Sequence, residues 1–241
     1  MRSILSYLFL LLVIFQSCTT DEPEKEFDIK WLYSDEGRSI GAVYKTAWID
    51  ENKLYLMDMR KPKEDRTLLQ MTPKNSSDIT SIIDPEKISK NILNAVGRSD
   101  TMMYLEWPSS FSSNGEYGLY LFEDDIYLLD ILNQNYRRIT DTESEEKAAR
   151  FSPDDKKISF VRDSDIYVYD LRTKREKRIT FNGSETNLNG TLSWVYWEEI
   201  FGRQDIGYWW SDDSKALAFL NTDESQVTKM HYVHWKPAEP E

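Results

Sequence analysis

The sequence predicts an all-β protein, an incomplete β-propeller of about four blades, and three observations lead there. The first is a repeat: Phe111-Ser112-Ser113-Asn114-Gly115, Phe151-Ser152-Pro153-Asp154-Asp155 and Trp210-Ser211-Asp212-Asp213-Ser214 share an aromatic-Ser start and a turn-forming tail. The second is its period. The first two segments begin 40 residues apart, and a period of about 40 to 45 with three or four short strands is that of a propeller blade. The third is composition. Eight Trp, 14 Tyr and 10 Phe stand beside only 9 Gly and 8 Pro in 241 residues, which favours many short strands with large side chains.

Each unit has the same internal order. After the turn comes an apolar strand: Gly118–Phe122, Ile158–Val161, or Ala216–Leu220. A second strand follows in two units, Asp125-Ile126-Tyr127-Leu128-Leu129-Asp130 matching Asp165-Ile166-Tyr167-Val168-Tyr169-Asp170, and both close on Arg-Ile-Thr at Arg138–Thr140 and Arg178–Thr180. In Ser152-Pro153-Asp154-Asp155 the proline presets φ for a type I turn, and the Ser and Asp side chains bond the backbone. Alternation places Ile166 and Val168 on one face, toward a neighbouring sheet, with Tyr167 and Tyr169 on the other. Upstream, Trp48–Asp58 reads as an earlier, worn blade, and Asp84-Pro85 supplies the N-cap and first-turn proline of a short helix.

The N-terminus reads as an address. Arg2 precedes an apolar run, Ile4–Phe15, of the size of a secretory signal and short of the roughly 20 residues that span a bilayer. Residues 1–17 are expected to be a signal peptide. Cys18 follows Phe15-Gln16-Ser17, which resembles a bacterial lipobox, so Cys18 is the expected lipidation site and the cell envelope the expected location. Residues 18–39, with the acidic stretch Asp21–Glu26, then form a solvated tether and lead-in. The tether resembles those of lipoproteins from the Bacteroidetes group. Residues 40–241 make the propeller portion.

Between the second and third turns the spacing is 59, or 19 residues longer, which is read as an insertion between one blade and the next. It runs Leu188–Arg203 and contains Trp194-Val195-Tyr196-Trp197-Glu198-Glu199-Ile200-Phe201. Ser193 is the expected N-cap of a short helix ended by Gly202. On that helix Glu198 and Glu199 can lean into one pocket. Two carboxylates offer several acceptor lone pairs, which suits a primary ammonium with its three N–H donors, and such charge-assisted bonds contribute about 1.5–3 kcal/mol.

With Tyr208-Trp209-Trp210-Ser211 downstream, this motif resembles the N-terminal propeller of dipeptidyl peptidase IV and its bacterial relatives among the S9B serine peptidases, over roughly residues 40–235. The resemblance implies an eight-bladed type of propeller, Glu198 and Glu199 holding the free N-terminus of a peptide, and Trp194 and Tyr196 supporting the motif. It also implies an α/β-hydrolase domain carrying Ser, Asp and His. That domain does not fit in 241 residues, so the chain is expected to be inactive alone and to depend on a hydrolase domain encoded separately or lost by truncation. A stand-alone peptide- or protein-binding lipoprotein is the alternative. The family also tends to carry an arginine-bearing loop where this chain has Phe122-Glu123-Asp124-Asp125, so no substrate-binding arginine is carried over.

Other classes are excluded on composition. Lys+Arg 30 against Asp+Glu 42 leaves a net charge of −12, a surface that repels phosphate backbones, so nucleic acid is not an expected partner. Cys18 is the only cysteine, and with it lipidated no disulfide or thiolate metal site remains. No cofactor and no metal are expected. Gly37-Arg38-Ser39-Ile40-Gly41 matches the nucleophile-elbow spacing, but lacks a strand before it and a helix after it. His231 and His234 have no accompanying ligand cluster.

Overall fold

The protein is seen in a computed structural model that describes residues 28–34, 36–37, 40, 43–97 and 103–228. Cys18, the 1–17 leader, Ser39, His231 and His234 lie outside the described residues. The chain divides into two units, residues 1–42 and 43–241. In the first, Asp28 caps a single helical turn, α1 (Ile29–Leu32), accepting from the Trp31 N–H at 2.5 Å. No helix among the described residues is long and apolar enough to cross a membrane.

The second unit is a series of antiparallel sheets. The first is β1 (Tyr44–Asp50), β2 (Lys53–Asp58), β3 (Leu69–Thr72) and β4 (Asn75–Ser81), in that order. After it comes α2 (Pro85–Val96). Asp84 caps it as expected, accepting from Glu86 and Lys87 N–H at 3.0 and 3.2 Å, and Gly97 ends it in the left-handed conformation. The second sheet is β5 (Ser110–Phe111), β6 (Tyr117–Phe122), β7 (Asp125–Asp130) and β8 (Asn135–Arg138). The third is β9 (Glu146–Phe151), β10 (Lys157–Arg162), β11 (Asp165–Asp170) and β12 (Arg175–Arg178). A fourth unit follows with β13 (Asn187–Asn189), β14 (Tyr208–Trp210), β15 (Leu217–Phe219) and β16 (Asn221–Asp223).

The hydrophobic cores lie between successive sheets. Tyr127 and Leu129 of β7 pack toward Tyr55 and Met57 of β2 and Ile88 and Ile92 of α2. Ile126 and Leu128 of the same strand pack toward Phe151, Ile158 and Phe160. In β11, Tyr167 joins that second core while Ile166 joins Val161 and Tyr208 in a third. Both faces are therefore covered, not one against a neighbour and one toward solvent, which is why these strands read as continuous apolar runs instead of alternating with polar residues.

The repeated turns have one design. In each, the Ser hydroxyl and the residue two later bond each other and the returning backbone: Ser112 to Asn114 at 2.8 Å, Ser152 to Asp154 at 2.7 Å and Ser211 to Asp213 at 2.7 Å. The fourth position, Gly115, Asp155 or Ser214, takes positive φ in all three. That residue also reaches the preceding turn. Asp155 accepts from the Ser113 N–H at 2.9 Å, and the Ser214 hydroxyl accepts from the Asp154 N–H at 3.0 Å. The turns thus link sheet to sheet as well as strand to strand.

The Arg-Ile-Thr repeat has an equally plain role. Arg138 pairs with Asp125 and Arg178 with Asp165, across β8–β7 and β12–β11. Thr140 and Thr180 accept from the Ile126 and Ile166 N–H at 2.8 and 2.9 Å, extending each ladder past the end of the strand.

Candidate functional site

The insertion does not stand between two blades, as its spacing suggested. It interrupts the inner strand of the fourth. In the third sheet β9 pairs with β10 along one continuous strand, Phe151 opposite Ile158 and Glu146 opposite Arg162, with a bulge at Ala148 where φ is +56°. In the fourth, Trp210 lies opposite Leu217 and Asn189 opposite Asn221, so β14 and β13 together do what β9 does alone. Asn189 holds the place of Glu146: its N–H donates to the Ser164 carbonyl at 3.0 Å, as the Glu146 N–H donates to Asp124 at 2.8 Å. Residues 190–207 are extruded at the position of the bulge.

The neck of this loop is built from two glycines. The Gly207 N–H donates to the Gly190 carbonyl at 2.9 Å, and the Gly190 N–H to Leu220 at 3.0 Å. Gly190 has φ +78°, and a Cβ there would meet Ile166 side-chain atoms at 2.9–3.0 Å, so this close approach needs glycine. Above the neck, Asp205 accepts from the Leu192 N–H at 2.7 Å.

Trp194 begins a helical turn that opens into a π-turn over Tyr196–Ile200, with the Phe201 N–H reaching back five residues to the Tyr196 carbonyl at 2.9 Å. Ser193 contributes its carbonyl, which accepts from the Trp197 N–H at 3.1 Å. Gly202 and Arg203 leave the turn at φ +59° and +63°. Single π-turns within helices are rare and occur often at functional sites. Glu198 is partly buried, with the Arg203 guanidinium 3.9 Å away, whereas Glu199 is exposed. Trp194, Tyr196 and Ile200 present 66%, 50% and 63% of their surface to solvent, while Phe201 turns back onto Trp209 with ring centroids 6.4 Å apart. A cation approaching Glu198 competes with an arginine that is itself mostly exposed and bonded at the limit of ion-pair distance.

Two of the cavities along the inner strands share Arg150 in their walls. The larger, about 670 Å³, is lined by Trp107, Leu121, Asp124, Arg150, Asp205 and Ile206 among others. The smaller, about 320 Å³, is walled by Phe111, Phe151, Tyr208, Trp209 and Trp210 with Arg150. The Glu123-Asp124 hairpin at the larger cavity is a two-residue turn with both φ values positive, 47° and 70°, the tight acidic connection that the sequence suggested. Sequence reasoning passed over Arg150, Asp205 and Glu146. Their signal was present only as polar residues within or beside an inner strand, which alone does not distinguish a lumen from open solvent.

The family described as the dipeptidyl peptidase IV (DPP IV) N-terminal region matches residues 110–241. A probable dipeptidyl-aminopeptidase B of Talaromyces stipitatus is 37% identical over 79 residues, covering 33% of this chain and 9% of that protein. The corresponding Aspergillus oryzae protein is 26% identical over 210 residues, covering 83% of this chain and 22% of the relative. The crystal structure of Porphyromonas gingivalis dipeptidyl peptidase 4 superposes with a TM-score of 0.62 at 22% identity, over 85% of this chain and 29% of that one. That likeness shows the propeller fold. The chain spans less than a third of the length of each of these proteins.

Proposed function

Because the chain belongs to the family of the dipeptidyl peptidase IV N-terminal region, we propose that it is the substrate-gating propeller portion of a dipeptidyl peptidase IV-like exopeptidase, in which Glu198 and Glu199 hold the free N-terminus of a peptide. The observation that supports this most is the extrusion of residues 190–207 from an interrupted inner strand, which lifts both carboxylates out of the sheet on a loop whose returning arm, Gln204 to Ile206, lines the larger cavity. An ammonium held there leaves a fixed number of residues between it and a serine nucleophile supplied by a hydrolase domain. The glutamates then measure length, which is catalysis by orientation.

The reading makes an expected result. By calorimetry, a C-terminally amidated tripeptide with a free amine and no acidic side chain binds and its N-acetylated form does not. Glu198→Gln and Glu199→Gln each weaken binding by about ten- to a hundredfold, the worth of one charge-assisted bond. The double variant loses less than the sum, since the carboxylates share one ligand. Equal binding of the free and acetylated peptides would make the pair a solvated helical face and end the proposal.

Diacylation of Cys18, holding the chain at a membrane of the cell envelope, belongs to the same proposal. Fractionation of cells carrying Cys18→Ala tests it, with release into the soluble fraction expected. Persistent membrane association would refute it.

A further inference from the structure

Among the described arginines, Arg66, Arg150 and Arg162 are the most buried. Arg66 donates to the backbone carbonyls of Lys61 and Met59, and Arg162 pairs with Glu146 and Glu176. The Arg150 carbonyl accepts from the Ser159 hydroxyl at 3.3 Å, but its guanidinium makes no hydrogen bond, ion pair or ring contact with any other described residue. Arg150 stands on β9, opposite Ser159 of β10, and lines both cavities of the inner edge. A half-buried guanidinium has lost part of its hydration and keeps five donors that no described side chain satisfies, which leaves it open to an anionic ligand.

The two cavities differ in what they offer that cation. The larger holds Glu123, Asp124, Glu145, Glu146 and Asp205 with Lys147, and repels anions. In the smaller, the one carboxylate is Asp155, and it is already committed to the Ser113 N–H at 2.9 and 3.0 Å and to the Ser113 hydroxyl at 2.5 Å. Arg150 is the sole cation there, among the rings of Phe111, Phe151, Tyr208, Trp209 and Trp210. Ser110 and Ser152 are the polar edge. At about 320 Å³ the space is at the small end for ligand sites, and an aromatic wall with a single guanidinium fork suits a planar carboxylate accepted in bidentate fashion.

We infer that Arg150 and the aromatic-walled cavity form a carboxylate site for peptide ligands, distinct from the amine contacts at Glu198 and Glu199. The carboxylate is either the C-terminus of a short peptide or an acidic side chain within a longer one. Both present the same group to the guanidinium. The site gives the inner edge a second charge selection, for an anion, beside the one for an ammonium.

The test uses N-acetylated tripeptides, so that the amine site plays no part. Calorimetry on the full chain compares a neutral peptide with a free C-terminus, its C-terminal amide, and an amide carrying one internal Glu. Binding of either carboxylate-bearing peptide with none by the neutral amide is expected, and which of the two binds identifies the source. Arg150→Gln should lose about ten- to a hundredfold and Arg150→Lys less. Equal binding by the neutral amide, or unchanged affinity in Arg150→Gln, overturns the inference. Should Arg150→Gln fail to fold, the wild-type peptide series with Arg150→Lys decides alone, because an anion site cannot bind the amide as well as the acid. Failure here leaves the amine reading standing, since that one is read with free-amine peptides.

Discussion

Arg162→Ala should lower the unfolding free energy by about 3–5 kcal/mol at neutral pH, the usual result of stripping one partner from a buried ion pair. Arg162 donates to Glu146 at 3.1 Å, and the Glu146 side chain is wholly buried. Thr140 and Thr142 donate to the same carboxylate, each at 2.8 Å, but neither carries charge. Arg162 also lies over the Tyr167 ring, 4.3 Å from its centroid, and pairs with Glu176, so some of the loss is packing. The pH dependence separates the two parts. Burial is the main influence on Glu146 and holds its pKa above the usual carboxyl value despite the Thr and Arg bonds. A raised carboxyl pKa contributes stability that is complete below the unfolded value of about 4.3 and is lost as pH rises through the folded one. Without Arg162 the charged form is penalised further, so the deficit against wild type should be largest at pH 7 and shrink toward pH 4. Glu146→Gln in the Arg162→Ala background should recover part of it. A deficit that is the same at both pH values and is not relieved by Glu146→Gln would assign the whole effect to lost packing over Tyr167.

Much of this architecture could be read from residues whose chemistry is local. The turns at Ser112, Ser152 and Ser211 declare themselves because Ser, Asn, Asp and Pro act on their own neighbours, and Asp84-Pro85 starts its helix for the same reason. Continuous apolar runs such as Ile126–Leu129 announce strands. What could not be read is set by partners far away in the chain. Asn187–Asn189 is too short for alternation to show, and its two asparagines next to Gly190 read as turn formers, so nothing marks it as half of an inner strand; only its pairing with Asn221–Asp223 reveals that the insertion divides a strand and not two blades. Likewise Glu146 and Arg150 resemble surface residues of a half-exposed strand. That one is buried under Arg162 and the other's side chain left without a partner among the described residues depends on the sheets to either side. The Glu198-Glu199 motif was legible as a pattern, but its wide π-turn was not, since one additional backbone register leaves no mark on the side-chain sequence.

The same long-range logic makes Asp165 the residue on which the insertion's footing depends. Its carboxylate is fully buried and accepts from Thr180 at 2.5 Å, from the Gly183 N–H at 3.1 Å and from the Asn189 side-chain amide at 3.1 Å, besides pairing with Arg178. Asn189 is the last residue before the Gly190 neck, so Asp165 ties the β10–β11 hairpin to the base of the loop bearing Glu198 and Glu199. Asp165→Ala leaves Thr180, Gly183, Asn189 and Arg178 each short of an acceptor, and should cost about 3–5 kcal/mol, the range for breaking a buried charge network. Burial pushes the Asp165 pKa up, but the Thr180, Arg178 and Gly183 bonds together outweigh it and hold it below the ordinary value. A depressed carboxyl pKa gives stability that is present above the unfolded value of about 3.9 and is lost as pH falls through the folded one. The difference between wild type and Asp165→Ala should accordingly narrow as pH drops below about 4. Hydrogen exchange locates the damage: protection should fall first at Asn189, Gly190 and Gly207, before β9 and β10 are affected. If exchange instead quickens uniformly across the third sheet, Asp165 serves the stability of that sheet alone and does not set the position of the glutamates.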